Sequence, residues 1–272
     1  MQPDLNRSDT EFMRQALALG AQGLGGTWPN PSVGCVIVKD GQVVGVGRTQ
    51  RGGRPHAEVE ALAMAGSAAR GATAYVTLEP CSHHGKSPPC SEALIRAGVA
   101  RVVAALRDPN PKISGQGLAQ LQAAGIETFC GIGAAEAAAQ HAGFLSVLAR
   151  RRPWVTLKLA TTADGYIARR RDKPEPITGD LARRHGQLLR SRNDAILTGI
   201  GTVLADDPSL TCRLPGMAAR SPIRIVVEGT RTLPASARML KDGGPEVWRY
   251  DGKQGLAPIL EQIAARGLTR LL

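Results

Sequence analysis

The chain has few aromatic residues, no long apolar run and only a handful of cysteines. Phe, Tyr and Trp together make up 3% of its 272 residues, which leaves little on which unpaired nucleic-acid bases could stack. No apolar run approaches the roughly 18 residues that a membrane-spanning helix needs, and the first residues are polar rather than signal-like. Five cysteines is too sparse a count for a secreted disulfide scaffold. These shortages predict a soluble, cytoplasmic protein with an aliphatic core.

The formal net charge of +11 keeps an acidic partner in consideration. The cationic residues are spread along the chain, and their densest clusters lie at 150–152 and 169–171. Because aromatic residues are scarce as well, a basic surface facing water is the simplest interpretation, and a phosphorylated small substrate is an intermediate one. We therefore expect no nucleic-acid partner and no membrane association.

Two series of strands and helices predict two α/β domains. Residues 33–47 hold two β-rich runs joined by an Asp-Gly turn, which indicates a hairpin. Helices and strands then alternate, and a last Ala-rich helix is predicted over 134–149. The segment RRRPW at 150–154 combines charge, a proline and the start of a predicted strand, VTLKLATT, as is typical of a boundary. We expect domains at 1–149 and 150–272, the second of them incomplete because it stops within a predicted strand.

Four side chains of the first domain form a pattern with chemical content. His56 and Glu58 lie two residues apart where a helix is predicted to start, and Cys81 and Cys90 bracket a polar loop after the next strand. A catalytic zinc ion takes three protein ligands, and one histidine with two thiolates meets that need. Glu58 is then placed to carry protons between a water molecule and a leaving amine. The joint pattern, H-x-E followed by P-C and a second cysteine, is typical of zinc-dependent deaminases.

Other interpretations of these residues stay open at this point. H-x-E alone arises often by chance, so the residues could be ordinary parts of a core and a loop. The cysteines could also form a structural zinc site that His83 or His84 completes, with Glu58 left at the surface. Such a site, made within one loop, would be cramped and would not use His56. A nucleic-acid or nucleoside base deaminase with an accessory domain is a further alternative, although its cysteines lie two residues apart and not eight.

Three segments, NPSVGCVIVKDG, HAEVEAL and LEPCSHHGKSPPC, closely resemble the bacterial bifunctional riboflavin-biosynthesis enzymes, in which a deaminase is fused to a reductase. The resemblance implies a cytidine-deaminase-like, three-layer α/β domain. It implies that zinc is bound by His56, Cys81 and Cys90, and that Glu58 is the proton carrier. It also implies that the substrate, a diaminopyrimidinone ribosylamine 5′-phosphate, is contacted by Asn30, His83 and Lys86. Many relatives carry a histidine shortly before HAE where this chain has Thr49, so one substrate contact is not carried over.

The second domain contains no metal or nucleophile pattern. Its Gly-rich segment TGIGTVLADDPSLTCR follows a predicted strand, which by itself is a weak indication of a phosphate site. This segment and KLATTADGYIA resemble the reductase half of the same family, which implies a dihydrofolate-reductase-like α/β fold, NADPH as cofactor and hydride transfer to the ribosyl C1′. Cofactor contacts are then implied for Thr161, Thr202 and Asp206. Substrate contacts are implied for Arg190, Leu210 and Arg213, and the two arginines suit a phosphate.

The second domain departs from the family pattern at two places. Relatives commonly have Ser-x-Trp-Ile-Thr where this chain has PEPIT, with Pro174 and Pro176 in place of the serine and tryptophan. Relatives also continue past TRLL into a Glu-Gly-Gly loop that binds substrate and cofactor. From these departures we expect weak or absent reductase activity beside a working deaminase. The resemblance further implies a homo-oligomer assembled through the reductase domains.

Overall fold

A computed structural model of the chain describes residues 7–85, 87–110, 114–167 and 177–272. The chain divides into two compact units, Met1–Ala149 and Arg150–Leu272. Within the residues that the structure describes, no helix combines the length and the apolar composition needed to cross a membrane.

Unit 1 is built on a five-stranded mixed sheet in the order β2-β1-β3-β4-β5. Its elements are α1 (Arg7–Ala21), β1 (Gly34–Lys39), β2 (Gln42–Arg48), α2 (Ala57–Ala65), β3 (Thr73–Val76), α3 (Cys90–Ala97), β4 (Arg101–Ala104), α4 (Gln116–Ala123), β5 (Glu127–Cys130), α5 (Ala134–Gln140) and α6 (Ala142–Arg150). Strand β1 is antiparallel to β2 and β3, whereas β3, β4 and β5 are parallel. The predicted hairpin is confirmed, since Asp40 and Gly41 connect β1 and β2 with φ of 49° and 75°.

Helices cover both faces of this sheet and give it three layers. One face of β1, with Cys35 and Ile37, packs into a core that includes Ala61 of α2, Leu94 of α3 and Leu121 of α4. The opposite face contacts α1 and α5 through a second core, whose members include Met13, Val36 and Ala137. Buried side chains therefore alternate along β1 between the two cores, as expected for a strand in the middle of a sheet. The predicted three-layer α/β fold is confirmed.

Unit 2 has a five-stranded sheet in the order β6-β10-β7-β8-β9, in which every pair is parallel. Its elements are β6 (Trp154–Val155), α7 (Asp180–Ser191), β7 (Ala195–Gly199), α8 (Ile200–Asp206), β8 (Ile223–Glu228), α9 (Arg238–Lys241), β9 (Val247–Asp251), α10 (Leu256–Ala265) and β10 (Arg270–Leu271). Parallel α/β sheets bind ligands beyond the carboxyl ends of their strands. The loops that follow β6, β7 and β8 are therefore the places to look for a site.

Two predicted elements differ from the structure. The single helix predicted over 134–149 is two helices, because His141 separates α5 from α6 and is only 2% exposed. Its Nε2 lies 3.2 Å from Oγ1 of Thr77, so a contact to the end of β3 fixes the break. Of the strand predicted for VTLKLATT, only Val155 is in a strand, as the second residue of β6.

Candidate active sites

The start of α2 positions the histidine and the glutamate of the motif. His56 is the residue before the helix, and Glu58 lies in its first turn. Helix α2 packs closely on β2, because a Cβ on Gly47 would lie 2.1 Å from the carbonyl oxygen of Ala57. Glycine in β2 thus lets the helix approach the strand closely enough to place His56 and Glu58 at the edge of the core.

The two cysteines lie at either end of the loop between β3 and α3. Cys81 follows β3, and Cys90 is the first residue of α3. The backbone N–H of Cys90 donates a hydrogen bond to Sγ of Cys81 over 3.3 Å. An N-terminal amide of a helix thus stabilises negative charge on Cys81, as expected for a thiolate ligand.

Folding brings His56, Cys81 and Cys90 into one cluster whose candidate ligand atoms all lie within 4.8 Å of one another. Nδ1 of His56 lies 3.7 Å from Sγ of Cys81 and 3.4 Å from Sγ of Cys90. The N–S separation around a tetrahedral zinc ion is about 3.6 Å, given Zn–S and Zn–N bonds of about 2.3 and 2.0–2.1 Å. The donor set and its spacing therefore fit zinc, with Nδ1 as the histidine donor.

Contacts within the cluster shift the pKa values of its side chains, and the resulting protonation states suit metal binding. A hydrogen bond from Cys90 lowers the pKa of Cys81 to about 4, whereas the same contact and burial raise the pKa of Cys90. The hydrogen bond to Cys81 also raises the pKa of His56. One thiolate beside one thiol is the state that these contacts favour, and a divalent cation binds such a pair with release of a proton.

Glu58 is buried beside the three candidate ligands and is not a surface residue. Its side chain belongs to a residue that is 4% exposed. Burial first, and then the nearby charge of Cys81, raise the pKa of Glu58 to about 7. A carboxyl group with a pKa near neutrality can both accept and donate a proton at working pH. The surface position required by the structural-zinc alternative is therefore wrong.

The same alternative needs a histidine from the cysteine loop. His83 and His84 are both exposed, and Nε2 of His84 lies 3.0 Å from a carboxylate oxygen of Glu92. Among the described residues, the cluster of metal-binding donors contains His56 and no second histidine. The geometry thus favours three protein ligands and an open fourth position, which is the arrangement of a catalytic zinc site.

Among the predicted substrate contacts of unit 1, Asn30 lies beside the cluster. Nδ2 of Asn30 lies 3.5 Å from Nε2 of His56 and donates to the carbonyl oxygen of Gly53 over 2.8 Å. His83 is exposed in the cysteine loop, and Lys86 lies outside the described residues. Thr49 is buried, and its Oγ1 accepts a hydrogen bond from the N–H of Val33 over 3.0 Å.

Unit 2 contains a groove of about 1030 Å³ that is lined by residues of α7, β7 and α10 and of the loops after β6 and α8. Arg190 and Arg213, both predicted substrate contacts, line it together. Apolar side chains, among them Leu260 and Leu271, form part of the wall. A cavity of this size with cations on an apolar wall can hold a phosphorylated heterocycle.

The loop that carries Leu210 and Arg213 is held against α7. Arg190 donates to the carbonyl oxygen of Thr211 over 2.9 Å, and Oε1 of Gln187 accepts from the N–H of Arg213 over 2.9 Å. Leu210 is buried although its φ is +57°, a left-handed conformation that is unfavourable for an apolar residue. Strain of this kind is retained where the surrounding structure fixes it, commonly next to a site.

The predicted cofactor contacts are not brought into this groove. Thr202 and Asp206 lie on α8 and are exposed, and Thr161 is exposed in the segment after β6. Among the described residues that line the groove, none of the three is present. They therefore remain predictions for a separate part of the site.

The structure adds four candidate residues that the sequence did not identify, because the motifs around them are short. In unit 1, Glu79 is buried two residues before Cys81, and Asp108 lies within electrostatic reach of Cys81 and His83. In unit 2, Lys158 and Thr178 line the groove beside Arg190 and Arg213. A signal existed for Thr178, since it is the threonine of PEPIT, the segment that stands in place of Ser-x-Trp-Ile-Thr.

The geometry of unit 1 defines a zinc-dependent deaminase domain, and unit 2 is a parallel α/β domain with a basic groove. A family model for the cytidine and deoxycytidylate deaminase zinc-binding region matches residues 6–106, and one for the RibD C-terminal domain matches residues 153–271. The chain belongs to the RibD family of riboflavin biosynthesis proteins, whose members combine a deaminase with a reductase.

Comparison with individual relatives supports the same family assignment. The riboflavin biosynthesis protein RibD of Escherichia coli is 49% identical over 88% of this chain and 68% of its own length. That of Bacillus amyloliquefaciens is 45% identical over 94% and 69%. A solved Acinetobacter baumannii RibD superposes with a TM-score of 0.89 at 40% identity, over 98% of this chain and 80% of that one. A Thermotoga maritima diaminohydroxyphosphoribosylaminopyrimidine deaminase/5-amino-6-(5-phosphoribosylamino)uracil reductase superposes with 0.89 at 35% identity, over 97% and 80%.

Proposed function

We propose that residues 1–149 catalyse the hydrolytic deamination of 2,5-diamino-6-ribosylamino-4(3H)-pyrimidinone 5′-phosphate. The observation that carries the proposal is the cluster of His56, Cys81 and Cys90 with the buried Glu58 beside it. The name of the Thermotoga maritima protein, which is similar over 97% of this chain, supports the choice of substrate.

In this proposal His56, Cys81 and Cys90 hold the zinc ion. Zinc, when bound, supplies a Lewis acid that makes a water molecule acidic near neutral pH. Glu58 accepts the proton of that water and later donates a proton to the departing amine, so that ammonia leaves in neutral form. Its raised pKa, about 7, suits both steps. The α3 amide that hydrogen-bonds Cys81 keeps this sulfur ionised as a ligand.

The substrate contacts complete the proposed site. We assign Asn30, whose amide lies beside His56, to orienting the pyrimidine, and His83 and Lys86 to the polar and anionic parts of the substrate. A lysine cation suits a phosphate because it forms charge-assisted hydrogen bonds, and a histidine ring can hydrogen-bond the polar groups of a substrate. The exposed position of His83 in the cysteine loop is compatible with contact to a ligand that enters from solvent.

Glu58→Gln tests the proton role directly. The amide keeps the shape of the side chain but cannot accept the proton, so ammonia release should fall by roughly 10³-fold or more. Zinc content, measured by atomic emission, should stay at the wild-type value because Glu58 is not a ligand. With the deaminated substrate, the variant should oxidise NADPH as fast as the wild-type chain does. An E58Q variant with wild-type ammonia release would contradict the assignment.

A base deaminase acting on nucleic acid is the second candidate for unit 1. Its support is the net charge of +11 and the shared type of zinc cluster. Ammonia release from RNA or DNA oligonucleotides, with affinity that falls steeply with salt, would favour it over the pyrimidine phosphate.

For residues 150–272 we propose NADPH-dependent reduction of the ribosyl group to a ribityl chain. The groove with Arg190, Arg213 and Lys158 supports binding of the phosphorylated product of unit 1. NADPH, when bound, supplies the hydride. Its contacts are proposed to be Thr161, Thr202 and Asp206. Helix α8, which carries two of these, starts directly after β7 at Gly199, and the guanidinium of Arg231 lies next to Gly201. This placement suits an anionic cofactor.

Whether the reductase reaction is weak in this chain stays a prediction. NADPH loss with the deaminated substrate, followed at 340 nm, measures it separately from ammonia release.

We also propose that the chain forms a homo-oligomer. Exposed apolar side chains along residues 154–159, including Trp154, Leu157 and Leu159, support self-association. Sedimentation equilibrium measures the mass of the protein in solution and so tests whether it forms an oligomer.

A further inference from the structure

A buried carboxylate next to the zinc cluster has no part in the proposed chemistry. Glu79 lies between β3 and Cys81 and is 5% exposed. Its Oε2 accepts hydrogen bonds from the backbone N–H groups of Asp108 and Gly115, each over 3.0 Å. Its Oε1 accepts from the N–H groups at the start of α4, those of Gly117 over 2.9 Å and Leu118 over 3.4 Å. A buried charge with this many donors is a fixed anchor point.

Two of these amides, those of Asp108 and Gly115, belong to the chain between β4 and α4, and the other two belong to the first turn of α4. The chain at Asp108 lies beside the segment that leads into Cys81, because its N–H donates over 3.0 Å to Glu79, two residues before Cys81. The charges of His83 and Cys81 also act on the carboxyl group of Asp108. Asp108 is itself fixed in a turn, in which its Oδ1 accepts from the N–H of Asn110 over 2.9 Å. The anchored residues 108–110 therefore lie beside the stretch of chain that leads into Cys81.

A second, independent contact presses α4 onto the same stretch of backbone. A Cβ on Gly117 would lie 2.0 Å from the carbonyl oxygen of Pro80 and 3.3 Å from Cγ of Glu79. No side chain fits there without moving α4 away from the cysteine loop. Further along α4, Nε2 of Gln120 donates to the carbonyl oxygen of Ser82 over 3.4 Å. Helix α4 is thus fitted to residues 79–82 along its first two turns.

We propose that Glu79 is a positioning residue for the deaminase: it seats residues 108–110 and the start of α4 against the cysteine loop, so that the substrate cleft is already formed before the substrate binds. This role rests on the proposed deaminase activity of unit 1. It differs from support of the zinc ligands, since the amides bound by Glu79 belong to Asp108, Gly115, Gly117 and Leu118 and not to His56, Cys81 or Cys90.

The proposal predicts a loss of substrate affinity without loss of metal. In Glu79→Gln one oxygen becomes an NH2 group, which faces two backbone N–H donors in place of accepting from them. We expect KM for the pyrimidine phosphate to rise roughly tenfold or more, while kcat changes by less than about threefold, because the cleft must then be ordered by the substrate itself. Zinc content should stay at the wild-type value.

A structural readout accompanies the kinetics. Amide exchange at Gly115, Gly117 and Leu118, followed by mass spectrometry of the native zinc-loaded protein, should accelerate roughly tenfold or more in Glu79→Gln. Glu79→Asp, which keeps the charge, should lie between wild type and Glu79→Gln in both measurements. Gly117→Ala retains Glu79 but displaces α4, which carries two of the amides that Glu79 binds, and should also raise KM with zinc retained.

The matched control is Glu127→Gln, an exposed glutamate on β5 whose side chain is 73% exposed. It should show wild-type KM and exchange, and its ammonia release shows that the deaminase assay itself works. Unchanged KM and exchange in Glu79→Gln would overturn the proposal. So would loss of zinc in both Glu79→Gln and Gly117→Ala, since the contacts would then serve the metal ligands rather than the cleft.

Discussion

Single buried charges organise unit 1 far from its zinc cluster. Asp9, on the first turn of α1, is 5% exposed and forms a bidentate pair with Arg101 of β4, with both N–O distances at 2.9 Å. The hydroxyl of Tyr75 donates to the same carboxylate over 2.6 Å. The hydrogen bond from Arg101 holds the pKa of Asp9 below its ordinary value, whereas burial and Asp9 raise the pKa of Tyr75. One carboxylate thus ties α1 to β3 and β4.

Asp9→Asn should destabilise unit 1 at neutral pH by about 2 kcal/mol, because a hydrogen-bonded charge pair with Arg101 is lost. The folded-state pKa of Asp9 is depressed, so its contribution is present above the unfolded value of about 3.9 and is lost as pH falls through the folded value. The difference between variant and wild type should therefore shrink below about pH 4.

Native-state hydrogen exchange of amides in β3 and β4 measures this difference within unit 1 alone. Glu136→Gln, an exposed glutamate on α5, is the control and should leave exchange unchanged. A difference between Asp9→Asn and wild type that stayed constant from pH 7 to pH 3 would show that the charge of Asp9 is not its cause.

At the scale of elements, the packing of α2 on β2 decides where the motif lies. A Cβ on Gly45 would lie 2.2 Å from the carbonyl oxygen of Ala61, and one on Gly47 would lie 2.1 Å from that of Ala57. Both distances are shorter than any real contact, so the helix axis can approach the strand only where these glycines lie. His56 and Glu58 lie at the start of α2, so their positions depend on how closely α2 packs on β2.

Gly47→Ala should push α2 outward and displace His56 and Glu58 from the cysteines. A displacement of about 1 Å in such a site costs on the order of 10²-fold in kcat/KM, and zinc affinity should fall as well. Competition with a chromophoric chelator measures the affinity. Gly26→Ala is the control, since its Cβ would have no neighbour closer than 3.5 Å. Equal zinc affinity in Gly47→Ala and Gly26→Ala would contradict the role assigned to this contact.

At the scale of the whole molecule, the two units have separate cores and separate chemistry. The cores of unit 1 lie on the two faces of its own sheet, and that of unit 2 includes Ile196, Val226 and Met239. Only unit 1 contains a cluster of metal-binding donors among the described residues. Metal removal should therefore act on one unit.

Chelation of zinc should abolish ammonia release and speed amide exchange in peptides that cover 56–60 and 81–90, since metal binding contributes to local folding stability. Peptides that cover β7 and β8 should exchange at the same rate with and without the chelator, and so should any NADPH oxidation with the deaminated substrate. Equal acceleration in both units would show that their stabilities are coupled. Readdition of zinc should restore the original exchange.

The sequence by itself determined what depends on residue type and local spacing. The Asp-Gly turn fixed the hairpin, because two consecutive left-handed residues are needed there. The His-x-Glu and paired-cysteine pattern identified the ligand types, because zinc chemistry restricts them. The order of strands and helices indicated two α/β domains, since each element has its own periodicity.

Tertiary structure alone decided the remaining features, because these features depend on contacts between residues that are distant in sequence. The break at His141 follows from a contact to Thr77, 64 residues away. The raised pKa of Glu58 follows from its burial and from the nearby charge of Cys81, and the binding of four amides by Glu79 follows from the return of the chain to the end of β3. Sequence spacing names the donors, and only the folded chain supplies the distances between them.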